Sequence, residues 1–303
     1  MKKKGLAKVI AALLVAVFGY GALEAVDVIG DFFADGKSVE TIREFTTAEG
    51  EMQVTFLDVG QGDCTIVRTD GHAMVIDTGD NGEGEYVVDY LQEEGIDVLD
   101  YLILTHPDAD HIGGGDNVLE SIEVKEILMP DVTNDTVTYE EVAEDIDQFS
   151  IHTTNPQPGD VYELGDAEFT ILCPEAEAVD DSDLNGASVG IKLIHGENAF
   201  VMCGDAEEEA EQNMVDHFGT GLECDVLKCG HHGSSTATSD AFLKATDPTW
   251  AVISCGQDNR YGHPHEEVLA KLKEEDVQVY RTDRLGTITA VSDGKNISWS
   301  SER

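Results

Sequence analysis

The segment from Thr105 to Gly114 reads Thr-His-Pro-Asp-Ala-Asp-His-Ile-Gly-Gly and has the densest set of metal-binding side chains in the chain. Two imidazoles and two carboxylates fall within six residues, at His106, Asp108, Asp110 and His111. Nitrogen and oxygen donors of this kind bind divalent transition metals. Their density is sufficient for two ions a few ångströms apart, whereas a solvated loop with capping roles would not need four such donors.

Two further segments place polar side chains directly after an apolar run. Ala199–Asp205 is a hydrophobic stretch that ends in Gly-Asp. A carboxylate at a strand end can bridge two metals, although aspartate is also a common helix N-cap. Asp225–Ser235 is a second apolar run, followed by the adjacent histidines His231 and His232 in a glycine-rich turn. Adjacent histidines after a buried strand indicate a site.

A fourth segment, Arg260–His265, places two histidines around a proline at the start of a predicted helix. Because imidazole titrates near neutrality, His232, His263 or His265 can protonate a leaving group. For His263 and His265 a structural role in the turn explains the pattern equally well.

The elements that must position these side chains alternate between strands and helices. Strand-like alternation opens at Met52–Val59 and continues through Cys64–Arg68 and Ala73–Ile76 as a meander. Tyr101–Leu104 is a short apolar strand that runs straight into the histidine and aspartate cluster. Helical and strand-like runs then interleave to residue 291. This mixture favours two mixed sheets flanked by helices over a doubly wound parallel sheet.

The N-terminal region predicts export or anchoring. Four lysines at positions 2, 3, 4 and 8 precede an uncharged stretch from Val9 to Leu23, the pattern of a signal peptide or a short membrane anchor. We therefore expect a leader or anchor over 1–25, a linker over 26–50 and the folded domain over 51–303. The domain is expected outside the cytoplasm, either secreted or held at the membrane only through the N-terminal segment.

Taken together, the motifs resemble the metallo-β-lactamase superfamily, and more closely the extracellular metallo-hydrolase domain of the ComEC competence proteins and its stand-alone relatives. The resemblance covers residues 51–292 and implies an α/β fold, the αββα sandwich, with metals at one sheet edge. The matching segments are Asp58–Asp63, Ile76–Gly79, Thr105–Gly114, Asn185–Ser188, Cys203–Asp205, Lys228–Ser235, Tyr261–His265 and Arg281–Gly286.

The resemblance also implies the ligands of two divalent ions, Zn²⁺ or Mn²⁺. It assigns His106 and Asp108 to the first metal, Asp110 and His111 to the second, and Asp205 to both. His231 would complete the second site because it follows a glycine, with His232 as the alternative. A third ligand of the first metal has no clean motif, and the candidates are Asn185, Ser188, His152 and His195. Asp108 stands where the wider superfamily has histidine. Because a carboxylate is a harder ligand than an imidazole, both Zn²⁺ and Mn²⁺ remain candidates for the site.

The predicted reaction is hydrolysis by a water that two cations activate. Asp110 can orient this water as well as bind metal, and Asp77 is expected to orient a ligand histidine from behind. The expected substrate-binding residues at the rim are Asp58, Gln61, Asp63, Asn185, Ser188, Ser234 and Tyr261.

Charge restricts the substrate. The chain has 18 Lys plus Arg against 62 Asp plus Glu, a formal charge of −44, so polyanions are repelled over most of the surface. Phosphodiesters, including short nucleic acid, are the first substrate hypothesis, and long duplex DNA is not expected. The few cations near the C-terminal motifs are Lys192, Lys228, Arg260, Arg281 and Arg284. Alternatives are a small or cell-envelope ester or lactam, and a non-catalytic binding module.

Overall fold

The computed structural model describes residues 50–175 and 183–303. The predicted leader over 1–25 and the predicted linker up to residue 49 lie outside the described residues. Within the described part, none of the helices combines the length and apolarity needed to cross a bilayer.

Strands and helices alternate along the described chain. The strands are β1 (Met52–Phe56), β2 (Thr65–Thr69), β3 (His72–Ile76), β4 (Val98–Leu99), β5 (Tyr101–Ile103), β6 (Glu123–Val124), β7 (Glu126–Leu128), β8 (His152–Thr154), β9 (Val161–Leu164), β10 (Ala167–Cys173), β11 (Gly190–His195), β12 (Asn198–Met202), β13 (Val226–Lys228), β14 (Trp250–Ile253), β15 (Gln278–Arg281), β16 (Ile288–Ser292) and β17 (Ile297–Ser301). The α-helices are α1 (Gly84–Glu93), α2 (Ala109–Ile112), α3 (Gly115–Ser121), α4 (Val137–Phe149), α5 (Glu208–Phe218), α6 (Asp240–Thr246), α7 (Glu266–Glu274) and α8 (Thr282–Leu285).

Two large mixed sheets hold most of these strands. The first has the order β17-β16-β1-β2-β3-β5-β7-β8, and the second has the order β15-β14-β13-β12-β11-β10-β9. Each sheet has an antiparallel half and a parallel half. In the first sheet β3, β5, β7 and β8 run parallel, and in the second β12 to β15 run parallel.

Three hydrophobic layers fix the stacking order. Between the sheets, Phe56 of the first packs with Phe169 and Phe200 of the second. On the outer face of the first sheet, side chains from α1, α3 and α4 join one core, and on the outer face of the second sheet α5, α6 and α7 join another. Each fully buried large side chain contributes about 1.5–3 kcal/mol. The result is the αββα sandwich that the sequence predicts.

The parallel halves explain where the polar motifs go. Carboxyl ends of parallel strands lie at one edge of a sheet, and loops at that edge can carry polar side chains without disturbing the core. Asp77 follows β3, Thr105 follows β5, Asp205 follows β12 shortly after its end, and the histidine pair follows β13. Both sheets therefore present their polar loops at a shared edge.

Candidate metal centre

Asp77 fixes the loop that begins at Thr105. Its Oδ1 accepts a hydrogen bond from the Thr105 backbone N–H at 2.8 Å. Its Oδ2 accepts from the Thr105 hydroxyl and from Nδ1 of His111, both at 2.8 Å. His111 is fully buried, so its other nitrogen, Nε2, is the one left to face the site. A carboxylate on the far nitrogen of a histidine sets the tautomer of a metal ligand, as expected for Asp77.

Asp205 reaches the same point from the second sheet. It is buried, and its Oδ1 lies 3.2 Å from Nε2 of His111. Its backbone N–H donates to Oγ of Ser188 at 3.1 Å, and that oxygen lies 3.4 Å from Nδ1 of His106. Gly204 allows the approach, because a Cβ there would lie 2.8 Å from the side chain of Thr105.

The two adjacent histidines after β13 point to different partners. Both have left-handed backbone conformations, with φ of 47° and 53°. His232 donates from Nδ1 to the carbonyl of Ser254 at 3.1 Å, and its Nε2 lies 3.2 Å from Oδ2 of Asp110 and 3.5 Å from Oδ2 of Asp205. His231 instead donates from Nδ1 to Glu207 at 3.1 Å, and its Nε2 lies 3.6 Å from Asp205.

The side chains form four overlapping groups that suit a cation, each with donor atoms within 4.8 Å of one another. Two of them are His106, His111 and Asp205, and Asp110, His111 and His232. The other two contain Asp63, with Asp205 and His232 in one and with Asp77 and His111 in the other. The buried side-chain atoms without a hydrogen-bond partner include Nε2 of His111, Oδ1 of Asp205 and Nε2 of His232. Buried polar atoms are rarely left unpaired, so this donor set fits two divalent cations. Oδ2 of Asp108 lies 3.7 Å from Nε2 of His106 at the open side.

The electrostatic field at this edge favours positive charge. Burial by itself lowers the pKa of His232, but the carboxylates of Asp205 and Asp63 outweigh it and raise that pKa to about 10. Burial likewise opposes the shift at His111, whose pKa Asp205 and Asp77 raise well above its usual value. Burial raises the pKa of Asp205, yet the His111 and His232 rings hold it well below its usual value. A divalent cation satisfies the same excess of carboxylate charge.

An open cleft of about 490 Å³ borders the centre. Four of its side chains carry formal charge, and three of those are carboxylates. The Arg260 guanidinium carbon lies 4.7 Å from the centroid of the Tyr261 ring. Tyr261 is 47% exposed. The cleft is lined by Gln61, Asp80, Asp108, Ala109, Asp110, Asn259, Arg260 and Tyr261.

Of the predicted substrate-binding residues, Gln61 and Tyr261 line this cleft and the others do not. Asp63 and Ser188 are buried, so the expectation that they bind substrate is corrected. Ser234 is also buried and bonds to Thr236. Asp58 binds Arg303 at 2.8 Å, and Asn185 donates to Glu207 at 3.3 Å.

The remaining predicted histidines lie outside the cation-binding groups. His265 accepts from the Ser235 backbone N–H at 2.9 Å and precedes α7, so the alternative structural role describes it. His263 is buried and stacks on Tyr261, with ring centroids 5.6 Å apart, and its Nδ1 has no hydrogen-bond partner. Burial and the nearby charge of His232 lower the pKa of His263 to about 4. His195 bonds to Ser292, and exposed His152 lies near Glu126, so neither is placed among the metal-binding groups.

The sequence does not predict the roles that the structure gives to two residues at the site. Glu207 reads as part of an acidic helix start, yet it accepts hydrogen bonds from His231, Asn185 and Thr236. Lys228 reads as a candidate phosphate contact, yet its ammonium is buried against Asp63. Both roles depend on which segments meet at the shared edge, which the linear pattern does not show.

Comparison with known proteins gives a family. The model of the metallo-beta-lactamase superfamily matches residues 57–257. ComE operon protein 3 of Bacillus subtilis (strain 168) is 35% identical over 260 residues, which are 80% of this chain and 33% of that protein. Recombination protein 2 of Haemophilus influenzae is 35% identical over 225 residues, 73% of this chain and 26% of that protein. The chain thus spans about a third or less of the length of these curated relatives.

Solved structures agree on the fold. Igni18, described as a novel metallo hydrolase from Ignicoccus hospitalis, superimposes with a TM-score of 0.52 at 17% identity, covering 79% of this chain and 98% of its own. CmlA, a diiron beta-hydroxylase from Streptomyces venezuelae, gives 0.51 at 13% identity, covering 78% and 53%. With the family match over 57–257 and the convergent His and Asp groups, the chain belongs to the metallo-beta-lactamase superfamily and has the fold of its metal-dependent hydrolases.

Proposed function

We propose that this chain hydrolyses phosphodiesters with the help of two divalent cations. One observation carries the proposal: three buried donor atoms without hydrogen-bond partners, on His111, Asp205 and His232, converge next to Asp110. Asp110 in turn lines an open cleft. Such an arrangement provides both a cation site and access for a substrate.

The proposed ligand assignment takes His232 from the distances and Asp108 from the sequence motif. His232 replaces His231 in the second site because its Nε2 faces Asp110 and Asp205, whereas His231 bonds to Glu207. When bound, two cations lower the pKa of a shared water and polarise the oxygen under attack. The first cation is assigned to His106, Asp108 and Asp205, and the second to Asp110, His111, His232 and Asp205.

His231 is the residue we assign to proton transfer. Its side chain is 24% exposed, so a leaving group in the site can reach it. Glu207 accepts from Nδ1 and fixes the orientation of the ring. The Nε2 proton can then pass to the leaving oxygen. This proposal replaces His232, His263 and His265, which are buried or engaged in the turn.

The substrate class follows from the charges of the cleft. Arg260 lines it together with Asp80, Asp108 and Asp110. A guanidinium pairs well with a single phosphate, while the carboxylates repel an extended polyanion. Lys228, which the sequence offered as a further phosphate contact, is buried. Because relatives carry the names of a competence operon protein and a recombination protein, short nucleic acid is the first phosphodiester to test.

The same acidic lining supports a second candidate. An ester with a cationic group, such as a phosphorylcholine-type substrate, would place that group near Asp80 and Asp108. Its single phosphate would still reach Arg260. This candidate and a lactam substrate use the same cation centre, so only the substrate distinguishes them.

We also propose that the domain acts outside the cytoplasm, held or exported through the lysine-rich N-terminus. Protease added to intact cells should digest the domain. Digestion only after lysis would reverse this localisation.

The experiment that tests the function combines metal analysis with a substrate panel. The purified chain should contain close to two divalent ions, and Asp205→Ala should lose at least one. The panel consists of bis-p-nitrophenyl phosphate, short single-stranded DNA, p-nitrophenyl phosphorylcholine and nitrocefin. Turnover of nitrocefin alone, with two metals present, would replace the phosphodiester proposal by the lactam one.

A further inference from the structure

Lys228 is a buried cation directly beneath the metal centre. It ends β13 and is 4% exposed. Its ammonium contacts Oδ2 of Asp63, which is itself 2% exposed. Lysine is almost never this buried without a charged partner. The pair is therefore shielded from solvent and cannot bind a substrate in the cleft.

Asp63 joins this pair to a proposed ligand. Its second oxygen, Oδ1, lies 3.3 Å from Nδ1 of His232. The backbone of Asp63 is fixed on both sides, because its N–H donates to the Asp110 carbonyl at 3.1 Å and its carbonyl accepts from Gly79 at 2.8 Å. The carboxylate consequently has little freedom to move away from the ring.

We propose that the Lys228–Asp63 pair is a positioning device for His232. Ser254 accepts the Nδ1 hydrogen of His232, and the Asp63 carboxylate beside that nitrogen adds negative charge that keeps the proton there. Nε2 therefore presents its lone pair to the site. Lys228 contacts the other oxygen of Asp63 and so holds the carboxylate in a buried place where an unpaired charge would be strongly disfavoured.

The arrangement repeats what Asp77 does for His111 on the other sheet. In one case the carboxylate is held by Thr105, and in the other by Lys228. Residues of this kind change metal affinity by about 10–100-fold when they are removed. The inference rests on the cation centre of the proposed function, and it makes no use of the substrate.

The test measures the affinity of each cation site by competition with a chromogenic chelator, using the full chain. The main variant is the double substitution Asp63→Asn with Lys228→Met, which removes both charges together. Asp77→Asn is the positive control. Lys125→Met is the negative control, because Lys125 pairs at 2.7 Å with Asp100 on a surface away from the centre.

We expect the double variant to be folded, as shown by cooperative unfolding. Its affinity at the weaker cation site should be about 10–100-fold lower than that of the same site in the wild type. Affinities within twofold of the wild type at both sites would overturn the inference. If the double variant does not fold, the cation affinities of Asp63→Asn alone are judged by the same fold-changes. If neither variant folds, the pair is needed for folding only and the inference is overturned. A wild type that binds two metals without hydrolysing phosphodiesters would remove the proposed function and leave this inference standing.

Discussion

Gly204 brings the loop after β12 against Thr105, and Gly204→Ala should both destabilise the fold and disturb the centre. The backbone φ of 53° is left-handed, which costs a residue with a Cβ about 1–2 kcal/mol. The new Cβ would lie 2.8 Å from Cβ and Oγ1 of Thr105. The Thr105 side chain cannot rotate away without losing the bond from its hydroxyl to Asp77, and overpacking of this kind costs about 1–3 kcal/mol. The expected loss is about 2–5 kcal/mol.

The matched control is Gly71→Ala. Gly71 also has a positive φ, 77°, but a Cβ there meets no atom within 4 Å, so only the backbone strain of about 1–2 kcal/mol applies. Both variants are unfolded in urea with a chelator present, which removes any contribution from metal binding. If Gly204→Ala costs no more than Gly71→Ala, the close approach between the two loops is refuted. Metal titration of Gly204→Ala should in addition show weaker binding, because Asp205 is the next residue.

Three further predictions concern the substrate and the fold. Arg260→Gln should raise KM for bis-p-nitrophenyl phosphate severalfold with a smaller change in kcat, and an unchanged KM would remove Arg260 from substrate binding. Burial raises the pKa of Glu211 above its ordinary 4.5, against hydrogen bonds from Ser239 and Thr238. The folded state therefore holds this proton more tightly, and stability is lost as pH rises from about 4.5 towards the raised value. When Glu211→Gln is unfolded in urea at several pH values, its free energy of unfolding should not show this fall with pH. A pH-independent difference in stability from the wild type does not affect this expectation. Hydrolysis of DNA should not accelerate with duplex length, and its dependence on salt should be shallow. A rate that climbs with length and collapses between about 50 and 200 mM salt would show a phosphate-binding path that we do not expect.

The fold could be predicted from local pattern because both sheets have hydrophobic faces that the sequence displays. The predicted strands over Ala73–Ile76 and Tyr101–Leu104 agree with β3 and β5 to within a residue. Short edge elements such as β4, β6 and β8 were not predicted. Their residues are too few to show a period, and they exist because a neighbouring strand offers hydrogen bonds.

The candidate site was predictable in its residue types and less so in its assignments. His106, Asp110, His111 and Asp205 were identified from motifs that follow apolar strands, and the structure brings them together. For the histidine pair the sequence favoured His231 as the ligand, whereas the distances favour His232. Both follow the same strand in the same glycine-rich turn, and what separates them is the acceptor that each Nδ1 finds, Glu207 for one and Ser254 for the other.

The sequence by itself determined two mixed sheets flanked by helices and the donor types of a cation centre, because periodicity and side-chain chemistry are local. The sandwich and the edge at which the polar loops gather followed from the resemblance of its motifs to the metallo-β-lactamase superfamily. Only the tertiary structure decided that Asp63 and Lys228 lie beneath the centre instead of at its rim. Burial and pairing depend on residues 165 positions apart meeting across two sheets, and the free energy of a buried charge is set by the partner it meets.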